Sequence, residues 1–278
     1  MNKLAQFTRR KNLVIGAIVT VVMIIMAIFA PLIAPYDPIY DADLMVAEEP
    51  PSSSYIFGTD DQGRDIFSRV VYGARISLSV GLISQLMNSI IGITLGLLAG
   101  YFGKWVDDLI MGLTNIMLSI PSIIFALAIM ALLGPGLINV FIALGFTNWS
   151  YTCRITRSQA LYTKNLNYVN ASRALSYGEV NIMFTQILPN IVGPILVIAT
   201  LGISGAILIE ASLSFLGLGT QPPTPSWGGM LATAREQLFT APWISIFPGM
   251  FIFLTVLGLN LFGDGLRDLL DPHTSQRK

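Results

Sequence analysis

The residues that could carry chemistry are few. One histidine, His273, and one cysteine, Cys153, stand in 278 residues. A metal site built on histidines, a His-dependent hydrolytic triad and a histidine proton relay therefore have no raw material, and an internal disulfide has no second thiol. The single Gly-Lys pair, Gly103-Lys104, is followed by Trp105 and has Leu98 where a phosphate loop opens on glycine, which removes a nucleotide site. What remains is one carboxylate, Glu210, inside an apolar stretch. A charge in such a place turns toward a bundle interior or toward water, where it makes a structural hydrogen bond or stands at the outer gate of a path. Ser214, Arg235 and Glu236 join it as candidates for that path or gate.

The elements that must position these residues are membrane spans. With 53% hydrophobic and 12% charged residues and a mean hydropathy of +0.67, the chain cannot surround an aqueous core with a charged surface. The 16 basic and 16 acidic residues cancel, so no net field favours nucleic acid. Apolar stretches able to cross a bilayer, free of charge but for Glu210 in the fifth, lie at 13–34, 76–100, 109–133, 137–153, 191–216 and 244–263, with Pro121 expected to kink the third. The fold class is an all-α integral membrane protein with six transmembrane helices, whose core runs over 76–264. Around the spans lie a terminus at 1–12, a loop at 35–75 carrying an amphipathic helix, a loop at 154–190, another at 217–243, and a terminus at 265–278.

Basic residues set the orientation. With the N-terminus in the cytoplasm, the inner segments hold Lys3, Arg9, Arg10, Lys11, Lys104, Arg154, Arg157, Lys164, Arg173, Arg267, Arg277 and Lys278, against Arg64, Arg69, Arg75 and Arg235 outside. Both termini are then cytoplasmic, and the protein is a multi-pass component of a cell membrane. The three arginines between Asp60 and Arg75 run against the rule, although Asp60, Asp61 and Asp65 balance them.

Local patterns add three expectations. Thr59, Asp60 and Asp65 precede the amphipathic run Ile66, Phe67, Val70 and Val71, which predicts a capped helix lying on the outer surface, as interfacial structure or as a contact for an external partner. Ser84, Asn88, Gly92, Gly96 and Gly100 recur every four positions, the spacing that lets a second helix approach closely, within the subunit or across to another. The basic segment around Tyr168 to Leu175 reads as a short helix, then a turn, then a second helix stopping near Pro189-Asn190, and it either rests on anionic lipid or serves as a docking knob.

Tyr168-Val169-Asn170-Ala171-Ser172-Arg173-Ala174-Leu175-Ser176, followed by Ile187-Leu188-Pro189-Asn190, resembles the EAA loop of bacterial ABC importer permeases. Three further stretches resemble the C-type permease subunits of dipeptide, oligopeptide and nickel importers. They are Gly58-Thr59-Asp60 with Gly63-Arg64-Asp65 and Gly73 to Leu78; Glu210 to Gly219 with Pro222-Pro223 and Ser226-Trp227-Gly228; and Asn260 to Asp268 with Leu270-Asp271-Pro272. The acidic position of the EAA pattern is Asn170 here and its glycine position is Ser176, with Gly178 two residues later as the residue able to supply the turn.

The resemblance implies a type I importer permease fold and a non-catalytic subunit coupled to ATPases through Asn170, Ala171, Ser172, Arg173, Ala174, Leu175, Ser176, Tyr177, Gly178 and Glu179. It implies a second, B-type permease, two ABC ATPases that bind ATP and magnesium, and an extracytoplasmic substrate-binding protein. No cofactor or metal is expected in this chain. Peptides are the favoured cargo, with nickel, metal chelates or glutathione as alternatives on the same machinery. An ATP-independent secondary transporter would need charges inside the spans, and only Glu210, near the outer interface, offers one.

Overall fold

The computed structural model describes residues 11–270. Lys3, Arg9, Arg10, Asp271, Pro272, His273, Arg277 and Lys278 lie outside the described residues. The described chain is helical: α1 Lys11–Ile28, α2 Ala30–Ile33, α3 Ile66–Phe102, α4 Lys104–Ser119, α5 Ser122–Leu133, α6 Leu137–Gly145, α7 Trp149–Thr163, α8 Asn167–Ala174, α9 Glu179–Ile182, a π-helical turn Met183–Ile187, α10 Leu188–Phe215, α11 Trp227–Thr233 and α12 Trp243–Leu270. Four helical stretches are long and apolar enough to cross a membrane, Lys11–Ile28, Ile66–Phe102, Glu179–Phe215 and Trp243–Leu270, with a fifth span if α4 and α5 count as one.

The count falls short of six for two local reasons. Pro121 does more than kink its span: α4 and α5 meet at 89°. Proline has no N–H to continue α4 and forces the residue before it out of the helical region, and Ile120 is extended, with φ −98° and ψ 124°. The fourth expected span, 137–153, is divided between α6 and α7. Asn88 of α3 reaches into that division, donating from Nδ2 to the Leu144 carbonyl at 3.0 Å and accepting from the Asn148 N–H at 2.9 Å. One side chain thus bridges a carbonyl and an N–H on the two sides of the break.

Two further helix boundaries differ from expectation. The amphipathic run does not lie on the surface. It forms the first turns of α3, a 37-residue helix in which Ile66, Val70 and Val71 are buried, because nothing breaks the chain until Gly103, whose φ is +66°. The helix beyond the α8 turn does not stop at Pro189 but runs on into α10. The π turn Met183–Ile187 widens the backbone ahead of the ring, and the Gln186 carbonyl takes a hydrogen bond from the Asn190 side chain at 2.7 Å. In the loop at 217–243, α11 ends at Thr233, so Arg235 and Glu236 sit on the turns that follow it.

α1 lies along α12, where a Cβ at Gly258 would come within 2.6 Å of Val19 and one at Gly265 within 2.6 Å of the Leu13 Cα. The arginines that oppose the orientation rule are all engaged locally. Arg64 Nε donates to Asp60 at 2.8 Å, Arg69 reaches Asp60 at 3.3 Å and the Pro38 carbonyl at 2.7 Å, and Arg75 Nε donates to the Ala27 carbonyl, at the end of α1, at 2.7 Å.

Candidate coupling helix and buried carboxylate site

The expected coupling residues stand together on α8 and the turn that follows. Val169 is buried beneath, in a cluster with Leu97, Tyr101, Ile182 and Ile187, and anchors the helix on the body of the protein. Asn170, Ala171 and the stretch from Arg173 to Val180 are exposed, with Ser172 half-buried. Leu175 is 72% exposed and Tyr177 48%. Both are large apolar side chains set on an exposed turn just beyond the end of α8.

The turn belongs to Ser176, not Gly178. Ser176 has φ +58°, whereas Gly178 has φ −63°, open to any residue. The Ser176 N–H donates to the Arg173 carbonyl at 2.9 Å and the Tyr177 N–H to the Ser172 carbonyl at 3.2 Å, the paired bonds of a Schellman terminus with Ser176 in the left-handed position. Gly178 sat in the wrong register for that position, and the hydrogen-bond pattern, invisible in sequence, decides between the two.

The basic residues of this segment are engaged within the chain. Arg157 makes a two-pronged ion pair with Asp107, Arg154 donates to Asn115 at 2.8 Å, and Lys164 Nζ donates to the Gly100 and Tyr101 carbonyls at 2.8 and 3.2 Å. The Arg173 guanidinium lies 5.4 Å from the Tyr101 ring centre. Arg154 and Arg173 remain exposed, Arg173 close in sequence to the apolar Leu175 and Tyr177. Tyr101, whose hydroxyl bonds the Glu179 carboxylate, escaped the sequence reading because nothing local marks an aromatic at a helix end for a partner 78 residues on.

The glycine stripe faces α7. A Cβ at Gly92 would stand 2.6 Å from the Trp149 carbonyl oxygen, one at Gly96 2.6 Å from the Thr156 Cβ, and one at Gly100 2.8 Å from Ala160. Ser84 is buried and its carbonyl accepts from the Asn88 side chain at 2.9 Å. This close approach fixes where α7 ends and hence where α8 begins.

Glu210 and Ser214 stand on α10 at the far end of the bundle from α8. Glu210 is wholly buried; Ser214 Oγ donates to its Oε1 at 2.7 Å, and its Oε2 has no partner among the described residues. α11 lies directly over them: a Cβ at Gly228 would come within 2.6 Å of the Ala211 Cα and 2.9 Å of the Ser214 Cβ. Trp227 pins α11, donating from Nε1 to the Val70 carbonyl at 2.9 Å, fully buried with Ile66 and Ala74. α11 itself is capped by the Ser226 side chain, which accepts from the Gly229 N–H at 3.1 Å. Glu210 is therefore sealed within the subunit. Arg235 and Glu236 project from the turns after α11, exposed and without an ion pair among the described residues. The structure brings Glu210 and Ser214 together and leaves Arg235 and Glu236 apart from them on the surface.

The described chain is thus all-helical, with several helices long and apolar enough to cross a membrane and an exposed short helix and turn at one end. Residues 92–276 match the profile of the binding-protein-dependent transport system inner membrane component family, and residues 3–51 match the N-terminal transmembrane domain of oligopeptide transport permease C. The chain belongs to that inner membrane component family. It is similar to the di/tripeptide transport system permease protein DppC of Pseudomonas aeruginosa, 46% identical over 96% of this chain and 89% of the relative. The oligopeptide transport system permease protein OppC of Bacillus subtilis is 41% identical over 96% of this chain and 87% of its own length. The glutathione transport system permease protein GsiD of Pectobacterium atrosepticum is 42% identical over 96% and 89%. The chain is thus a membrane permease subunit of an ABC importer, itself non-catalytic, whose ATPase and substrate-binding functions reside in other subunits.

Proposed function

We propose that this chain forms half of the translocation path of a di- or oligopeptide importer, paired with a B-type permease, two ATPase subunits that bind ATP and magnesium, and an extracytoplasmic binding protein. Both termini are cytoplasmic, which puts α8 inside the cell and α11 outside. The ATPase cleft receives α8 on Ala171, Ala174, Leu175 and Tyr177. The observation that carries this reading is the exposed apolar pair Leu175 and Tyr177 on the turn after α8, on a segment in which Arg157 and Lys164 are turned inward. The peptide relatives support the cargo. Glu210, Ser214 and α11 form the outer gate, with Arg235 and Glu236 on its rim. In this closed arrangement Gly228 sits on Ala211 and Ser214, and opening requires α11 to lift from α10.

Glutathione, itself a tripeptide, is the second reading of the cargo, favoured by relatives as close as those named for peptides. The test is ATP-dependent uptake by the assembled complex in liposomes, with dipeptides, longer peptides and glutathione as competitors, for wild type and Ala174→Glu. A charge at Ala174 is expected to abolish uptake and recovery of the ATPases while the subunit still enters the membrane. Intact transport by that variant would refute α8 as the docking element, and competition by glutathione alone would move the cargo.

A further inference from the structure

The C-terminal end of α3 is held from three sides by the segment that carries α8. Ahead of α8, Lys164 binds the last carbonyls of α3. Beneath α8, Val169 is buried in one cluster with Tyr101. Behind it, Arg173 lies over one face of the Tyr101 ring and Glu179 bonds its hydroxyl. On the Tyr101 side chain, charged residues from both sides of the Ser176 turn converge. It is buried, at 6% exposure, although both of its charged partners are exposed.

α3 then runs without interruption for 37 residues, about 55 Å at the helical rise. At its other end it carries the contacts that pin α11: Trp227 Nε1 to the Val70 carbonyl at 2.9 Å and the Trp227 N–H to Ser77 Oγ at 3.3 Å. A straight helix transmits displacement along its axis only as far as its ends are fixed. The α11 end is fixed by a buried indole, and the α8 end by a tyrosine between a cation and an anion.

We propose that Tyr101 is a positioning residue for coupling: clasped by Arg173 and Glu179, it makes the end of α3 move with α8, so that the push received by α8 reaches Trp227 and α11. The proposal rests on the reading of α8 as the ATPase-docking helix. Arg173 and Glu179 act in it through Tyr101 as well as on the ATPase face. Tyr101→Phe keeps the ring under Arg173 and removes only the bond to Glu179; Tyr101→Ala removes both.

The experiment uses the complete complex, with both permeases, the ATPases and the binding protein, in liposomes, and reads two quantities: ATP hydrolysis stimulated by the loaded binding protein, and dipeptide imported per ATP. A purely structural role would lower both rates together through loss of folded complex. The tether predicts that hydrolysis persists while import per ATP falls about tenfold in Tyr101→Phe, the worth of one hydrogen bond to a charged group, and further in Tyr101→Ala. In a Glu179→Ala background, Tyr101→Phe should then cause no additional fall. Parallel loss of both rates, an unchanged ratio, or additive losses in the double variant would each overturn the proposal. Wild-type import that proceeds without ATP would overturn the importer reading together with it, whereas ATP-driven import with an unchanged ratio in Tyr101→Phe would overturn the tether alone.

Discussion

α8 and α10 end in the same hydrogen-bonded terminus, at opposite ends of the bundle and in opposite surroundings. After α8, Ser176 takes the left-handed position at φ +58°; after α10, Gly217 takes it at φ +80°. The Gly217 N–H reaches the Ser214 carbonyl at 2.9 Å and the Leu218 N–H the Leu213 carbonyl at 2.9 Å, matching the bonds at Ser176 and Tyr177. Beyond the turn the two diverge. The α8 terminus points apolar side chains outward with little of its own chain over them. The α10 terminus lies beside a carboxylate and a serine that α11 covers completely. One end is shaped by its backbone and left exposed; the other is completed from within.

If that contrast is right, substitutions at the α11 end should act on stability and those at the α8 end on coupling. Trp227→Ala should cost about 3–5 kcal/mol, read as a fall in thermal midpoint of the purified subunit; a loss below about 1 kcal/mol would mean that the indole is not the anchor of α11. Gly228→Ala, with Ala211 at 2.6 Å from the new Cβ, should cost about 1–3 kcal/mol by overpacking, whereas at Gly178, which has nothing within 4 Å, the same change should stay within about 0.5 kcal/mol. Exchanging the residue types at the two turns is the direct comparison. Gly217→Ser should cost about 1 kcal/mol and Ser176→Gly should gain about as much, because a side chain in the left-handed region is strained, and equal thermal shifts of the same sign would break the analogy. Smallest of all, Leu175→Ala should change the melting of the isolated subunit by under about 0.5 kcal/mol while weakening recovery of the ATPases in pull-down.

How far the sequence could be read follows the range of the interactions involved. Composition and charge-free runs expose α1, α3, α10 and α12, since a span announces itself within about 20 residues. The stripe from Ser84 to Gly100 announces a close helix contact, but its partner, α7, is settled only in three dimensions. The division between α6 and α7 was hidden because Asn88, which satisfies it, lies 56 residues before Leu144. The coupling segment was legible as an exposed helix and turn. Its register was not, because Ser176 and Gly178 differ in sequence by the residue type that usually makes such a turn and in structure by which N–H finds a carbonyl. Glu210 was visible as a lone acid; that α11 seals it was not, since Gly228 reads as an ordinary loop glycine until Ala211 is seen beneath it.

The seam between α1 and α12 joins helices from the two ends of the described chain, with Gly258 against Val19 and Gly265 against Leu13, while Arg75 clasps the end of α1 some fifty residues on, at Ala27. During synthesis these contacts become available at very different times. The clasp between α1 and α3 can close while most of the chain is still to be made; the face of α1 that carries Leu13 and Val19 must wait for the last helix, whose glycines receive it. Assembly of this subunit is thus completed by a long-range closure, the slow kind of step, and a chain halted before α12 leaves that face of α1 uncovered.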